Sequence, residues 1–244
     1  MEFSDQGVVL AARAHGESHA IADILTETRG RWSGLVYGGQ GAKQRPVLQA
    51  GNDVRLTWKG RVSDSLGHFS LELERPRAAA LMQDRISLAG LSALAAVAAA
   101  CLNEREPHDG VYQGFKVLLA HLDNVDLWPA LMARWELGLL AALGFGLTLD
   151  KCAATGTKEN LVYVSPKSAQ AVCQEAGAPY HEKMLALPGF LSQKNVDATH
   201  EDALCGLRLT AYFLETRVLW PSDRTLPQAR QRVLELLQSM PKSE

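Results

Sequence analysis

The spacing of apolar and polar residues changes character three times along the chain. From Phe3 to about Arg77 it is strand-like. Gly7-Val8-Val9-Leu10-Ala11-Ala12 is a short apolar run. Ala20–Thr26 and Trp32–Tyr37 follow it, separated by a turn signal at Thr28-Arg29-Gly30-Arg31. Gly38-Gly39-Gln40-Gly41-Ala42-Lys43 reads as a loop. Val54–Lys59 and Phe69–Glu74 alternate with period two, the pattern of strands with one face in a core and one in water. Five short strands ending at Pro76 suit a small closed barrel.

From Ala78 to about Leu149 the period becomes helical. The alanine-rich stretch Leu81–Cys101 lacks alternation, and Val111–Leu122 and Trp128–Leu143 carry apolar residues at three and four spacing. In the last of these Leu131, Trp135, Leu139 and Ala142 share a face, Pro129 fits the first turn, and Gly144 and Gly146 fit the end. From Asp150 to about Tyr180 the chain is irregular apart from a short strand pattern at Leu161–Val164. Helical character resumes at Glu201–Trp220 and Pro227–Met240. These patterns predict an α+β protein: a barrel over 1–77, helical segments over 78–150 and 181–244, and an irregular segment over 151–180 between them.

Composition narrows the class. The chain has 244 residues, 47% hydrophobic and 21% charged, which excludes a disordered chain or a disulfide miniprotein. The four cysteines, Cys101, Cys152, Cys173 and Cys205, include no CxxC pair. The first residues show no basic stretch followed by an apolar run. The expectation is therefore reduced thiols and a cytoplasmic location. Ile86–Asn103 is uncharged, but alanine gains little in lipid, so a buried helix is expected there and no membrane span.

Charge is the informative signal. The net charge is only −2, yet Arg29 to Arg61 holds seven cations (Arg29, Arg31, Lys43, Arg45, Arg55, Lys59, Arg61) against one acid, Asp53. Arg13 and His15 extend this stripe from the first strand or are ordinary surface residues. Trp32, Tyr37 and Trp58 lie among the cations. A basic surface attracts phosphates and aromatic rings stack on unpaired bases. A five-stranded barrel with such a stripe is what an OB-fold nucleic-acid binder requires. The competing reading is a solvated basic face with Trp32 and Trp58 in the barrel core. The candidate DNA-binding residues are Arg13, Arg29, Arg31, Lys43, Arg45, Arg55, Lys59 and Arg61, with Trp32 and Tyr37 as stacking rings.

Enzyme signatures are missing. There is no GxxxxGK[ST], HExxH or GxSxG, and the seven histidines lack metal-ligand spacing. No helix pattern opens after Gly38-Gly39-Gln40-Gly41, as a dinucleotide site would need.

Gly7-Val8-Val9-Leu10, Gly16-Glu17-Ser18, Ile24-Leu25-Thr26, Gly30-Arg31, the loop Gly38–Arg45 and Leu48-Gln49-Ala50-Gly51-Asn52 resemble, in order, the N-terminal domain of the bacterial RecO family. Arg134-Trp135-Glu136, Leu143-Gly144-Phe145-Gly146, Leu149-Asp150-Lys151-Cys152, Tyr163-Val164-Ser165-Pro166 and Ala171-Val172-Cys173 continue the resemblance through the central segment.

The resemblance implies an N-terminal OB-fold, a helical domain and a small zinc-ribbon-like insertion. It implies a recombination mediator, nucleoid-associated and without a covalent step. Such a protein binds single- and double-stranded DNA, anneals complementary strands and helps load RecA on DNA coated by single-stranded-DNA-binding protein (SSB). It acts with RecR and often RecF. Arg134 matches a family position associated with the acidic SSB C-terminal tail; the alternative is a salt bridge to a nearby acid. Many relatives carry CxxC twice in the insertion. Here the pairs read Cys152-Ala153-Ala154-Thr155 and Cys173-Gln174-Glu175-Ala176, so two of four thiols remain and no zinc or other cofactor is expected. A different class is a protein–protein adaptor with little DNA affinity, carried by the helical part, whose net charge from Ala78 onward is −3. A metal-dependent enzyme using scattered acids is a third.

Overall fold

The computed structural model describes residues 1–62, 65–193 and 196–240. The chain folds into two compact units. One is Met1–Asp123 with Pro227–Val233, and the other Asn124–Leu226 with the chain from Leu234 on. The first unit is larger than the barrel domain expected from sequence.

Five strands open it: β1 (Glu2–His15), β2 (His19–Thr26), β3 (Gly30–Val36), β4 (Asp53–Lys59) and β5 (His68–Arg75). They close into a barrel in the order β1-β2-β3-β5-β4. β1 is long enough to pair with β4 through its first half and with β2 through its second. Closure comes from a short parallel pairing of Leu35 with His68 and Val36 with Phe69.

The period-two pattern decides what lies inside. Val54, Leu56 and Trp58 of β4 and Phe69 and Leu71 of β5 are buried, while Arg55, Lys59, Ser70 and Glu72 face out. Trp32 and Trp58 meet edge-on at 5.4 Å inside the barrel, with Phe3 5.0 Å from Trp32 and 5.6 Å from Trp58. Aromatic pairs at such separations add about 1 kcal/mol each beyond the area they bury.

The barrel continues into α1 (Arg77–Leu81), α2 (Arg85–Cys101) and α3 (Asp109–Ala120). The alanine-rich stretch folds as α2, which begins at Arg85 because Asp84 caps it. Its carboxylate accepts the Ile86 N–H at 2.9 Å and the Ser87 hydroxyl. Two adjacent residues tie helices to barrel. Asn52 accepts the Ala78 N–H, a donor that α1 itself leaves unpaired. Asp53, 6% exposed, accepts from Arg77 Nε at 2.9 Å and Lys116 Nζ at 2.6 Å. The segment after α2 lies along β3: Arg31 Nε donates to the Leu102 carbonyl at 2.9 Å, and the Arg105 N–H to the Arg31 carbonyl at 2.7 Å. Gly30 is required there. Its φ is +73°, and a Cβ would meet the Glu106 carbonyl oxygen at 2.1 Å.

In the second unit α4 (Trp128–Ala142) packs on α7 (His200–Phe213). The buried side of α4 runs through Met132, Trp135, Glu136, Leu139 and Leu140 rather than Leu131 and Ala142. Glu136 is fully buried and accepts the Thr210 hydroxyl from α7. A capping box of Thr199 and Asp202 starts α7. The turns α5 (Gln174–Gly177) and α6 (Gly189–Ser192) are short; α8 (Gln228–Gln238), the last described helix, belongs to the first unit up to Val233 and to the second from Leu234.

The insertion holds β6 (Leu161–Val164) and β7 (Ala171–Cys173), which with β8 (Leu185–Ala186) form a sheet of order β7-β6-β8. Cys152 and Cys173 are buried free thiols, and the Cys173 N–H donates to Cys152 Sγ at 3.3 Å. The Thr155 hydroxyl lies 3.7 Å from Cys173 Sγ. Burial pushes the Cys152 thiol up. The Thr155 hydroxyl and the N–H groups of Cys173, Thr155 and Ala154 outweigh it and bring it down from the ordinary 9.0 to about 6. Thr155 thus has one hydroxyl proton between two sulfurs.

Three predictions come from these contacts. Asp53→Ala leaves Arg77 and Lys116 without their carboxylate and is expected to lower stability by about 3 kcal/mol in urea unfolding. Lys116→Met removes a partly exposed partner and is expected to cost about 1 kcal/mol. For Cys152, the fold favours the thiolate, so the group contributes stability above its unfolded pKa of 9.0 and loses it as pH falls through about 6. Absorbance at the thiolate band is expected to show a step near that pH that Cys152→Ser abolishes.

Candidate nucleic-acid interface

The structure sorts the predicted cations by their partners. Arg31 is mostly buried. Its guanidinium lies 4.0 Å from Asp23 and 3.9 Å from Glu104, beneath the 102–106 segment. Arg55 stands among acids, opposite Glu72 in register and 3.0 Å from Glu74. Arg29 is exposed, with its guanidinium resting 4.4 Å from the centre of the Phe3 ring. Lys59 pairs with Glu2 at 3.0 Å, both half exposed, an arrangement that holds neither strongly. Arg61 is exposed just after β4.

Arg13, Lys43 and Arg45 are the accessible group. Arg13 pairs with Asp23 at 3.6 Å but keeps 65% of its side chain exposed. Lys43 and Arg45 are exposed on the loop between β3 and β4, and no acid pairs with either among the described residues. That loop is not loose. It turns through the bonds Gly41 N–H to the Gly38 carbonyl and Arg45 N–H to the Gly41 carbonyl, both 2.9 Å. Gln40 Nε2 reaches across to the carbonyls of Gly16 and His19 at 3.0 Å, which binds the loop to the β1–β2 turn.

The aromatics separate as cleanly. Trp32 does not present a stacking face: it is 8% exposed in the barrel interior, with Arg105 over its ring at 5.0 Å. Alternation along β3 turns it inward, and the hydrophobic effect keeps it there. Tyr37 is the exposed ring, at 59%, where the loop begins. His19 meets it edge-on at 5.3 Å and His68 lies tilted at 5.4 Å. His68 is the register partner of Lys59. A path therefore runs from Arg13 and the Lys43–Arg45 loop, past His19 and Tyr37, to His68 and Lys59. Cations, a fixed aromatic ring and small residues along one barrel surface suit a sugar–phosphate backbone with unstacked bases. Sequence alone does not single out His19, His68 and Gln40: the pairing of β2 with β3 brings His19 to Tyr37, the closure of β3 on β5 brings His68, and Gln40 acts on the β1–β2 turn.

Arg134, on α4, makes no salt bridge among the described residues. It donates to the Phe190 carbonyl at 3.0 Å and lies 5.5 Å from the centre of the Phe190 ring. An exposed guanidinium on an aromatic face remains able to take a carboxylate. Among the described residues no group of three or more His, Cys, Asp or Glu is placed to hold a metal. Cys152 and Cys173 supply two thiols where a structural zinc needs four ligands, so the residues present do not fit a zinc ribbon. No helix is long and apolar enough to cross a membrane among the described residues.

Comparison with known proteins agrees across the chain. The family model described as Recombination protein O N terminal matches residues 1–76, and that described as Recombination protein O C terminal matches residues 82–226. The DNA repair protein RecO of Phenylobacterium zucineum is 48% identical over 237 residues, 97% of this chain and 98% of that protein. The proteins of the same name from Caulobacter vibrioides (strain NA1000) and Hyphomonas neptunium are 45% and 44% identical, over 97% and 96% of this chain and 98% of each relative. With both halves matched in order and relatives covered almost end to end, this chain belongs to the RecO family of DNA repair proteins.

Proposed function

We propose that the protein is a recombination mediator that works by binding alone, with no covalent step. Its barrel is read as an OB-fold, on the strength of its closure and its β1-β2-β3-β5-β4 order. One observation carries the reading: Lys43 and Arg45 have no acid partner among the described residues, and Arg13, though paired with Asp23 at 3.6 Å, is 65% exposed, with an exposed Tyr37 where the loop begins. Phosphate contacts from these groups hold single- or double-stranded DNA without reading sequence. Neutralising two strands on such a surface lowers their repulsion and favours annealing. In this reading the protein acts in the cytoplasm on SSB-coated strands, with RecR and RecF, to load RecA. Arg134 beside Phe190 takes the SSB tail's terminal carboxylate.

The adaptor reading has one observation of its own. A concavity of about 330 Å³ is walled mostly by apolar residues, Leu73, Pro76, Ala79 and Met82 among them, with Arg45, Gln49 and Asn52 also lining it, and Met82 is 61% exposed. Salt distinguishes the two, because an apolar groove holds a partner about equally at low and high salt.

Fluorescence anisotropy of a labelled single strand tests the main reading. Three phosphate contacts predict a log–log salt slope of about −2 or steeper. Lys43→Glu with Arg45→Glu is expected to flatten the slope by at least ~1.4 and leave the unfolding midpoint unchanged. Tyr37→Ala is expected to weaken single-stranded binding by about tenfold and duplex binding less. Unchanged affinity in the double variant removes this loop from the interface. For the helical unit, Arg134→Ala is expected to abolish binding of an SSB-tail peptide at full DNA affinity. Retention of both would make Arg134 structural.

A further inference from the structure

Two thiols of the second unit stand together although 21 positions separate them in the chain. The Cys173 N–H, at the end of β7, donates to Cys152 Sγ at 3.3 Å. The Thr155 hydroxyl hydrogen-bonds Cys152 and lies 3.7 Å from Cys173 Sγ. Both sulfurs therefore border the same hydroxyl. Closing the remaining gap takes side-chain rotation and a shift of the exposed 153–156 turn.

The surroundings of Cys152 favour a nucleophile. Its partners are the Thr155 hydroxyl and the N–H groups of Cys173, Thr155 and Ala154, and no charged side chain is among them. Hydrogen bonds to sulfur favour the thiolate, the reactive form. Its cover is thin. Cys152 is 2% exposed, but the turn that shields it, Ala153, Ala154, Thr155 and Gly156, is itself exposed. That turn closes on two backbone bonds, from the Cys152 N–H to the Thr157 carbonyl at 2.7 Å and from the Gly156 N–H to the Cys152 carbonyl at 2.9 Å. A small oxidant needs only this turn to open. The other cysteines differ. Cys101 is buried in α2 of the first unit. Cys205 is more accessible, but burial pushes its thiol up, and its Sγ lies 3.7 Å from the Ala186 carbonyl oxygen.

We propose that Cys152 and Cys173 are a peroxide-reactive dithiol, with Cys152 the attacking sulfur and Cys173 the resolving one. The Cys152 thiolate attacks one oxygen of a hydroperoxide. The O–O bond breaks, an S–O bond forms, and the second oxygen leaves as hydroxide and takes a proton from water. Cys152 is then a sulfenic acid. Cys173 Sγ attacks Cys152 Sγ, the S–S bond forms, and the S–O bond breaks. The leaving oxygen departs as water with the Cys173 thiol proton. The two sulfurs together lose two electrons and the peroxide gains them. A dithiol reductant reverses the step by exchange. The disulfide ties the 152–157 turn to β7. Neither sulfur belongs to the barrel, so the proposal stands apart from the DNA reading.

The test treats the whole reduced protein with limiting hydrogen peroxide, unfolds it in maleimide and maps its peptides by mass. The expected product joins Cys152 to Cys173, with Cys101 and Cys205 alkylated, and dithiothreitol restores all four thiols. The rate is expected to fall about tenfold per pH unit below about 6 and to level off above it. Thr155→Val is expected to move that midpoint upward. Cys173→Ser is expected to leave a sulfenic acid on Cys152 that dimedone captures, and Cys152→Ser to slow oxidation of Cys173 by at least about tenfold. The map of the unaltered protein decides the matter if either variant fails to fold. Oxidation of Cys205 or Cys101 ahead of Cys152 overturns the proposal, and so do four thiols that all remain open to maleimide. A Cys152 sulfenic acid that persists in the unaltered protein overturns the role of Cys173. An unchanged midpoint in Thr155→Val overturns the role of the shared hydroxyl.

Discussion

Asp53 is the group around which the first unit is organised. It begins β4, its backbone belongs to the barrel, and its carboxylate is almost wholly buried. A buried carboxylate is tolerated only when paired and hydrogen-bonded. Arg77 of α1 and Lys116 of α3 provide this from two different helices. The barrel and its first three helices therefore form one compact unit, although the family's own division falls between residues 76 and 82. Asn52 reinforces the same junction with its bond to the first turn of α1.

The same pairing logic narrows the DNA surface. Seven cations in a short stretch look like one stripe in sequence, but acids distant in the chain meet several of them in the fold. Glu104 and Asp23 take Arg31, and Glu74 takes Arg55. What remains accessible, the unpaired Lys43 and Arg45 and the exposed side chain of Arg13 beside Asp23, is smaller and better defined. It lies beside a loop fixed by Gln40 and a tyrosine held between two imidazoles. A rigid surface loses less entropy on binding than a mobile basic loop would.

In the insertion, the strand pairing of β6 with β7 and the N–H···S bond from Cys173 to Cys152 hold a small sheet without a complete set of metal ligands. The hydrogen bonds that favour the Cys152 thiolate come mostly from backbone groups, so they depend on chain geometry and only on Thr155 for a side chain.

Much of this architecture was legible in the sequence because it depends on local periodicity. The alternation Val54-Arg55-Leu56-Thr57-Trp58-Lys59 determines which side chains enter the barrel, and Pro129 with the apolar spacing after it determines α4. The family resemblance rests likewise on residues read in order. Tertiary structure decided which charges meet and which rings are covered. Trp32 and Tyr37 are both aromatic residues of one strand-like run, yet one is core and the other surface, because β3 ends at Val36 and the chain leaves the sheet at Tyr37. Arg31 and Arg45 are equally basic in sequence. Only the fold lays residues 102–106 against the first and leaves the second open, since burial and Coulomb attraction act between residues that the chain separates and the barrel brings together.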